Sequence, residues 1–217
     1  MAPKAKKTAA PSAPAQKLTR KGEQTRERIV SAAARLIFER GVASTSIEDV
    51  KEAAGASSSQ LYHYFGDKQA LVHAVIAHQS DAVIAAQEPL LGKLDSVEAL
   101  RAWRDQAVAV EKQLQCKGGC PIGTLAGELA EVDPAARADI AEGFARWEEA
   151  IAQGIAAMHE RGELPAEVDP DRLALALLAA HQGGLLLTQV RRDPAPLEAA
   201  LDAMIDHVAD LIDRVRT

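Results

Sequence analysis

From residue 23 to residue 87 the apolar positions recur at helical spacing, and helix stops and starts punctuate them at short intervals. Ile29, Ala33, Leu36 and Ile37 share one stripe, and Gly41 follows where a helix over residues 23–40 must end. Thr45 and Glu48 have capping-box spacing: the hydroxyl accepts from a first-turn N–H while the carboxylate reaches back. A second helix is therefore predicted to open at Thr45, with Ile47, Val50 and Ala54 as its stripe and Gly55 as its left-handed stop. Ser57 and Gln60 repeat the capping spacing almost at once, and Leu61 and Phe65 form the buried face of a third, short helix. Two helices joined by so tight a turn make a helix-turn-helix. Gly66-Asp67 then stops the third helix and caps a fourth that runs from Lys68 towards residue 87.

Beyond Gly92 the breakers predict helices over residues 96–115, 121–131, 134–161, 170–192 and 194–215, with Pro134, Pro170 and Pro194 where a first turn tolerates proline. Ala and Leu dominate an apolar content of 47%, and no alternating strand pattern occurs, so the fold class is all-α. The organisation is a disordered basic tail over 1–22, broken by Pro3, Pro11 and Pro14, a three-helix unit over 23–66, and a larger helical domain over 67–217. No apolar run reaches the roughly 18 residues needed to span a bilayer, and no signal-peptide core precedes the first helix, so a cytoplasmic location without membrane contact is expected.

The outward side of the third helix carries Ser58, Ser59, Tyr62 and His63, hydrogen-bonding groups suited to a major groove. A small polar corner of a helical protein would look the same. Charge separates the two readings. The chain carries 25 Lys/Arg and 31 Asp/Glu, yet residues 1–70 hold twelve basic against seven acidic groups. The net charge of −6 thus conceals a basic segment, able to displace counterions from DNA, joined to an acidic remainder. Lys68 lies in a first helical turn, where the dipole disfavours a cation unless a phosphate faces it.

This order of elements, with Leu61-Tyr62-His63-Tyr64-Phe65 closing the reading unit and Lys68 close behind, resembles the TetR/AcrR family of bacterial transcriptional regulators over about residues 25–76. The resemblance implies operator DNA contacts at Ser57, Ser58, Tyr62, His63 and Lys68, with Ser59 on the same face and Thr45 and Ser46 at a phosphate-binding helix start. Ser58 and Ser59 stand where the family often has Lys or Arg and then Gly, which bears on base preference. The resemblance also implies a homodimer through the last two helices, a small-molecule effector in the larger domain, and repression relieved by that effector. Leu173, Leu175, Leu177, Leu178, Leu185, Leu186, Leu187 and Val190 surround the penultimate helix, and Leu197, Leu201, Met204, Ile205, Val208, Leu211 and Ile212 stripe the last. Together they suit a four-helix interface.

In the larger domain Trp103, Phe144, Trp147 and Met158 stand out among small apolar residues, and Gln106, Thr124, Glu128, His181 and Gln182 are the polar groups expected to orient a ligand. Any one of these aromatics also suits plain core packing. Cys116 and Cys120 flank Gly118-Gly119, and Cys120 is expected at a helix N-terminus near Lys117, both conditions that lower a thiol pKa. An alternative function follows, in which Cys120 senses electrophiles or oxidants; a small buried residue shaping the loop is the plainer role. Six scattered His show no metal-ligand spacing, no local motif pairs a nucleophile with a base, and neither cofactor nor catalysis is expected.

Overall fold

The computed structural model describes residues 18–217; of the predicted tail, residues 1–17 lie outside the described residues, and Arg20–Gly22 belong to the first helix. The described residues form nine α-helices and one short 3-10 turn, with no strand among them. Helix α1 (Arg20–Arg40) opens at Thr19, whose hydroxyl accepts from the Gly22 N–H at 3.2 Å, and buries Ile29, Ala33, Leu36 and Ile37. Gly41 ends it at φ +83°, a conformation side chains resist. Helices α2 (Ile47–Ala54) and α3 (Ser58–Phe65) are joined through Gly55, left-handed at φ 56°.

The start of α2 corrects the predicted cap by one residue. Ser46 caps it: the Asp49 N–H donates to Ser46 Oγ at 3.1 Å and the Ser46 N–H returns to Asp49 Oδ2 at 2.8 Å. These bonds from Ser46 hold the Asp49 carboxyl below its ordinary pKa. The hydroxyl of Thr45 instead donates to the Gly41 carbonyl at 2.8 Å, and the residue is buried. The predicted box at Ser57 and Gln60 is present, with bonds of 3.2 and 2.9 Å.

Helix α4 (Lys68–Ala85), capped by Asp67, packs against α1 on one side and against the central α7 (Pro134–Glu160) on the other. It thereby ties the first three helices to the rest. Helix α7 buries Ala136, Ile140, Gly143, Trp147, Ile151, Gly154 and Met158, a repeat of three and four that keeps one face inward for 27 residues. Helices α6 (Pro121–Leu129) and α8 (Pro170–Arg191) also pack on it, and α9 (Ala195–Arg216) packs on α8 and on α5 (Val97–Gln113).

Helix α8 changes two expectations. It is long and apolar enough to cross a membrane by length and composition, contrary to the sequence estimate, although Leu173, Leu177, Leu178 and Leu185 pack inside the chain. The two terminal helices also divide their roles differently. The stripe of α9 is buried against its own chain, with Leu197, Leu201, Ile205 and Val208 at 0% exposure, whereas Leu175, Leu186, Leu187 and Val190 of α8 face outward. Of these two helices α8 therefore leaves more apolar surface open, with Val215 exposed on α9.

Candidate DNA-reading face and ligand cavity

At the α2–α3 end, Ser46, Ser57, Ser58, Ser59, Tyr62 and His63 are all exposed, and Tyr62 is 57% accessible. Burial of Leu61 and Phe65 beneath α3 fixes which side of the helix these groups occupy. Arg28 of α1 donates to the Gly55 carbonyl at 3.4 Å, and Arg26 lies over the Phe65 ring at 5.4 Å, so α1 braces the turn and the base of α3. Thr45 leaves this face, because its hydroxyl is turned into the α1–α2 corner. Lys68 is half-buried, and its Nζ donates to the Val42 carbonyl at 2.7 Å. That acceptor offsets the cation in the first turn of α4 without a phosphate, so the expected misfit is resolved within the chain.

Val42 is gripped a second time. Its N–H donates to Oε2 of Glu128 on α6 at 2.7 Å, so the two peptide groups flanking this one residue of the α1–α2 corner are held by α6 and α4 respectively. Glu128 thus faces the reading unit, not a ligand.

The sequence-selected sensor residues divide between two cavities. The first, of about 270 Å³, is lined by Trp103, Gln106, Cys120, Trp147 and His181, together with Phe38, Val83, Gln87, Glu111, Leu114 and Leu185. The second, of about 540 Å³, lies on the α6–α8 side, where Thr124, Phe144 and Gln182 gather with Cys120 and Leu186. Met158 is fully buried and lines neither.

In the first cavity His181 stacks on Trp103 with centroids 5.2 Å apart and meets Trp147 edge-on at 5.0 Å. Burial lowers its pKa to about 4, so the ring is neutral near pH 7. Trp103 Nε1 donates to Gln87 Oε1 at 2.8 Å, whereas Trp147 Nε1, Gln106 Oε1 and Glu111 Oε2 are buried without partners among the described residues. Pattern reading misses Phe38, Gln87 and Glu111. Glu111 had a signal: an acid at the fourth position of the stripe Leu100, Trp103, Ala107, Glu111 that turns α5 inward.

Cys120 caps α6, its sulfur accepting from the Gly123 N–H at 3.4 Å. Its thiol pKa is raised, because burial outweighs the hydrogen bonds from Gly123, Ile122 and Gln182. This reverses the expected activation. Burial raises the Cys116 thiol as well. Because the thiolate is the nucleophile, Cys120 in a Cys116→Ser variant is expected to alkylate with iodoacetamide more slowly than free cysteine near pH 7 and to accelerate only at higher pH. A rate above that of free cysteine would restore the reactive-thiol reading.

Among the described residues no three His, Cys, Asp or Glu side chains gather as a metal site. The exposed helix-turn-helix face and a cavity in the same chain define a DNA-binding regulator.

Comparison with known proteins agrees. Residues 29–75 match the family described as bacterial regulatory proteins of the tetR family, and residues 96–204 match the tetracyclin repressor-like C-terminal domain. An uncharacterised helix-turn-helix transcriptional regulator of Mycobacterium tuberculosis is 32% identical over 80% of this chain and 88% of its own. The repressor DhaR of Mycobacterium sp. strain GP1 is 25% identical over 83% and 90%. Among solved structures, a TetR transcriptional regulator from Chloroflexus aurantiacus superposes with a TM-score of 0.74 at 29% identity, over 88% of this chain and 97% of that one. The chain belongs to the TetR family of bacterial transcriptional regulators.

Proposed function

We propose that the protein is a cytoplasmic, homodimeric repressor that leaves a palindromic operator when a small molecule fills the Trp103–Trp147 cavity. The observation that carries this reading is a shared wall. Phe38 from the last turn of α1, Val83 from the last turn of α4 and Gln87 just beyond it line the same cavity as Trp103 and Trp147. A ligand there touches helices that also position the reading unit, and the doubly held residue Val42 adds a second link through α6. DhaR, a repressor among the relatives, supports repression as the direction of control.

In this reading residues 23–66 read DNA and residues 67–217 sense and dimerise. Ser57, Ser58, Ser59, Tyr62 and His63 approach the major groove; Ser46 and Lys68 lie beside them, Lys68 exchanging its Val42 carbonyl for a phosphate. Fluorescence anisotropy against duplexes from upstream of the gene and scrambled duplexes, at matched salt, tests it. A regulator prefers its operator by roughly 10³-fold or more. Equal binding to every duplex would remove sequence-specific regulation.

The outward stripe of α8, running through Leu175, Leu186 and Val190, fits a second copy, since a two-fold axis places the same face against itself. Gly183 lies in this stripe with open space around the position of a Cβ. Leu186→Glu would place a charge at such an interface in both copies while disturbing nothing inside the chain. The expected result is a monomer by light scattering at micromolar concentration with unchanged helicity. A variant that stays dimeric would move the interface elsewhere.

A further inference from the structure

The polar groups of the first cavity are unbalanced in sign. Glu111 is 4% exposed and lines the cavity, yet its Oε2 finds no donor among the described residues. Gln106 Oε1 is a second unmet acceptor, and its orientation is fixed because the amide nitrogen donates to the Ala86 carbonyl at 3.3 Å. Trp147 Nε1 is the one unmet donor of the lining. No Lys or Arg lies among the lining residues. His181 is neutral, and the nearby Cys116 and Cys120 thiols are held neutral by burial, with the Glu111 carboxyl adding to the effect on each.

A buried carboxylate without a partner is costly, so the group shifts towards its protonated form, and burial does raise the Glu111 pKa. The missing counterpart is a positive charge that donates hydrogen bonds. No described lining residue provides it, and the cavity is open to a ligand. Its remaining wall is apolar and aromatic, and indole faces attract cations. Its volume of about 270 Å³ is near the lower limit of ligand pockets, roughly 300–1,000 Å³, and suits a molecule of one small ring system.

We propose that the cavity takes a small arylalkyl amine as its ammonium ion, with Glu111 Oε2 accepting from the ammonium and the ring lying against the Trp103–His181–Trp147 cluster. This rests on the reading of the cavity as the effector site. Trp103 and Trp147 are the two tryptophans of the whole chain, so intrinsic fluorescence reports cavity occupancy without background from elsewhere.

The test uses 4-phenylbutylamine, 4-phenylbutanol and 4-phenylbutyrate, matched in shape and differing in charge, titrated by tryptophan fluorescence and calorimetry. The wild-type protein is expected to bind the amine about tenfold or more tighter than the alcohol, and the carboxylate weakest. Glu111→Gln keeps the shape and removes the charge; it is expected to bring the amine down to the alcohol's affinity and leave the alcohol unchanged. The wild-type series decides alone if that variant folds poorly. An alcohol or carboxylate that binds as tightly as the amine, or an amine advantage that survives Glu111→Gln, overturns the ammonium assignment while leaving a ligand cavity. No response to any of the three overturns the effector site itself, and the ammonium assignment with it.

Discussion

Tyr62→Ala is expected to reduce operator affinity by about 30-fold to 10⁴-fold. A side chain contacting a base edge or phosphate contributes roughly 1–3 kcal/mol, and a dimer loses it at both half-sites. At 1.4 kcal/mol per factor of ten, the doubled loss gives that range. The phenol is 57% exposed and makes no hydrogen bond to a described residue, so folding stability should change by no more than about 0.5 kcal/mol. Anisotropy titration beside a melting curve separates the two effects. Tyr62→Phe resolves the contribution further, since it keeps the ring and loses only the hydroxyl. Unchanged affinity in Tyr62→Ala would remove the outward face of α3 from DNA reading.

Gly154→Ala should be the most damaging of the single-methyl changes in the helices. A Cβ there would lie 2.3 Å from the Leu94 carbonyl oxygen and 2.5 Å from its carbon, which are backbone atoms and cannot rotate away. Alanine gains about 1 kcal/mol of helix propensity over glycine, but prying α7 from the Leu91–Lys93 turn costs more, as overpacking does. A net loss of about 2–3 kcal/mol would lower Tm by roughly 5–10 °C in a chain of this size. Gly127→Ala on α6 is the control, because nothing lies within 4 Å of its Cβ position. There only the propensity gain remains, and a stabilisation of about 0.5–1 kcal/mol is expected. Equal melting temperatures for the two variants would contradict the close approach at Gly154.

These contrasts mark what the sequence can and cannot encode locally. Helix positions were legible because proline, glycine and capping side chains act on neighbouring residues, as at Asp67, Ser57 and the Pro121, Pro134 and Pro170 starts. The opening of α2 shows the limit of that logic. Thr45-Ser46 and Glu48-Asp49 offer two overlapping boxes, and the Gly41 carbonyl, which takes the Thr45 hydroxyl, selects the second. Cys120 fails for a similar reason. Its place at a helix start is a local property, but its pKa is governed by α8 and the cavity wall, which arrive from distant sequence. The division of labour between α8 and α9 was equally invisible, since both are apolar and only packing decides which face turns inward. Glu111 was legible in principle, as a lone acid on an apolar stripe, and its meaning depends on the absence of a cation among the lining residues.

Joining the two ends of the molecule requires the cavity to act on the reading unit. Phe38 and the end of α4 touch the cavity directly, and Glu128 and Lys68 hold the backbone of Val42 between them. In the proposed homodimer two reading heads enter successive major grooves about 34 Å apart, so a small change in their separation is penalised at both half-sites. The coupling is reciprocal: a ligand that weakens DNA binding is itself weakened by DNA.

The most direct measurement takes a molecule shown by Trp103 and Trp147 fluorescence to saturate the cavity and determines operator affinity with and without it. The proposed function predicts a loss of about 5- to 150-fold, corresponding to a coupling of roughly 1–3 kcal/mol. Operator affinity unchanged with the cavity full would contradict the proposed control of the reading unit by the cavity.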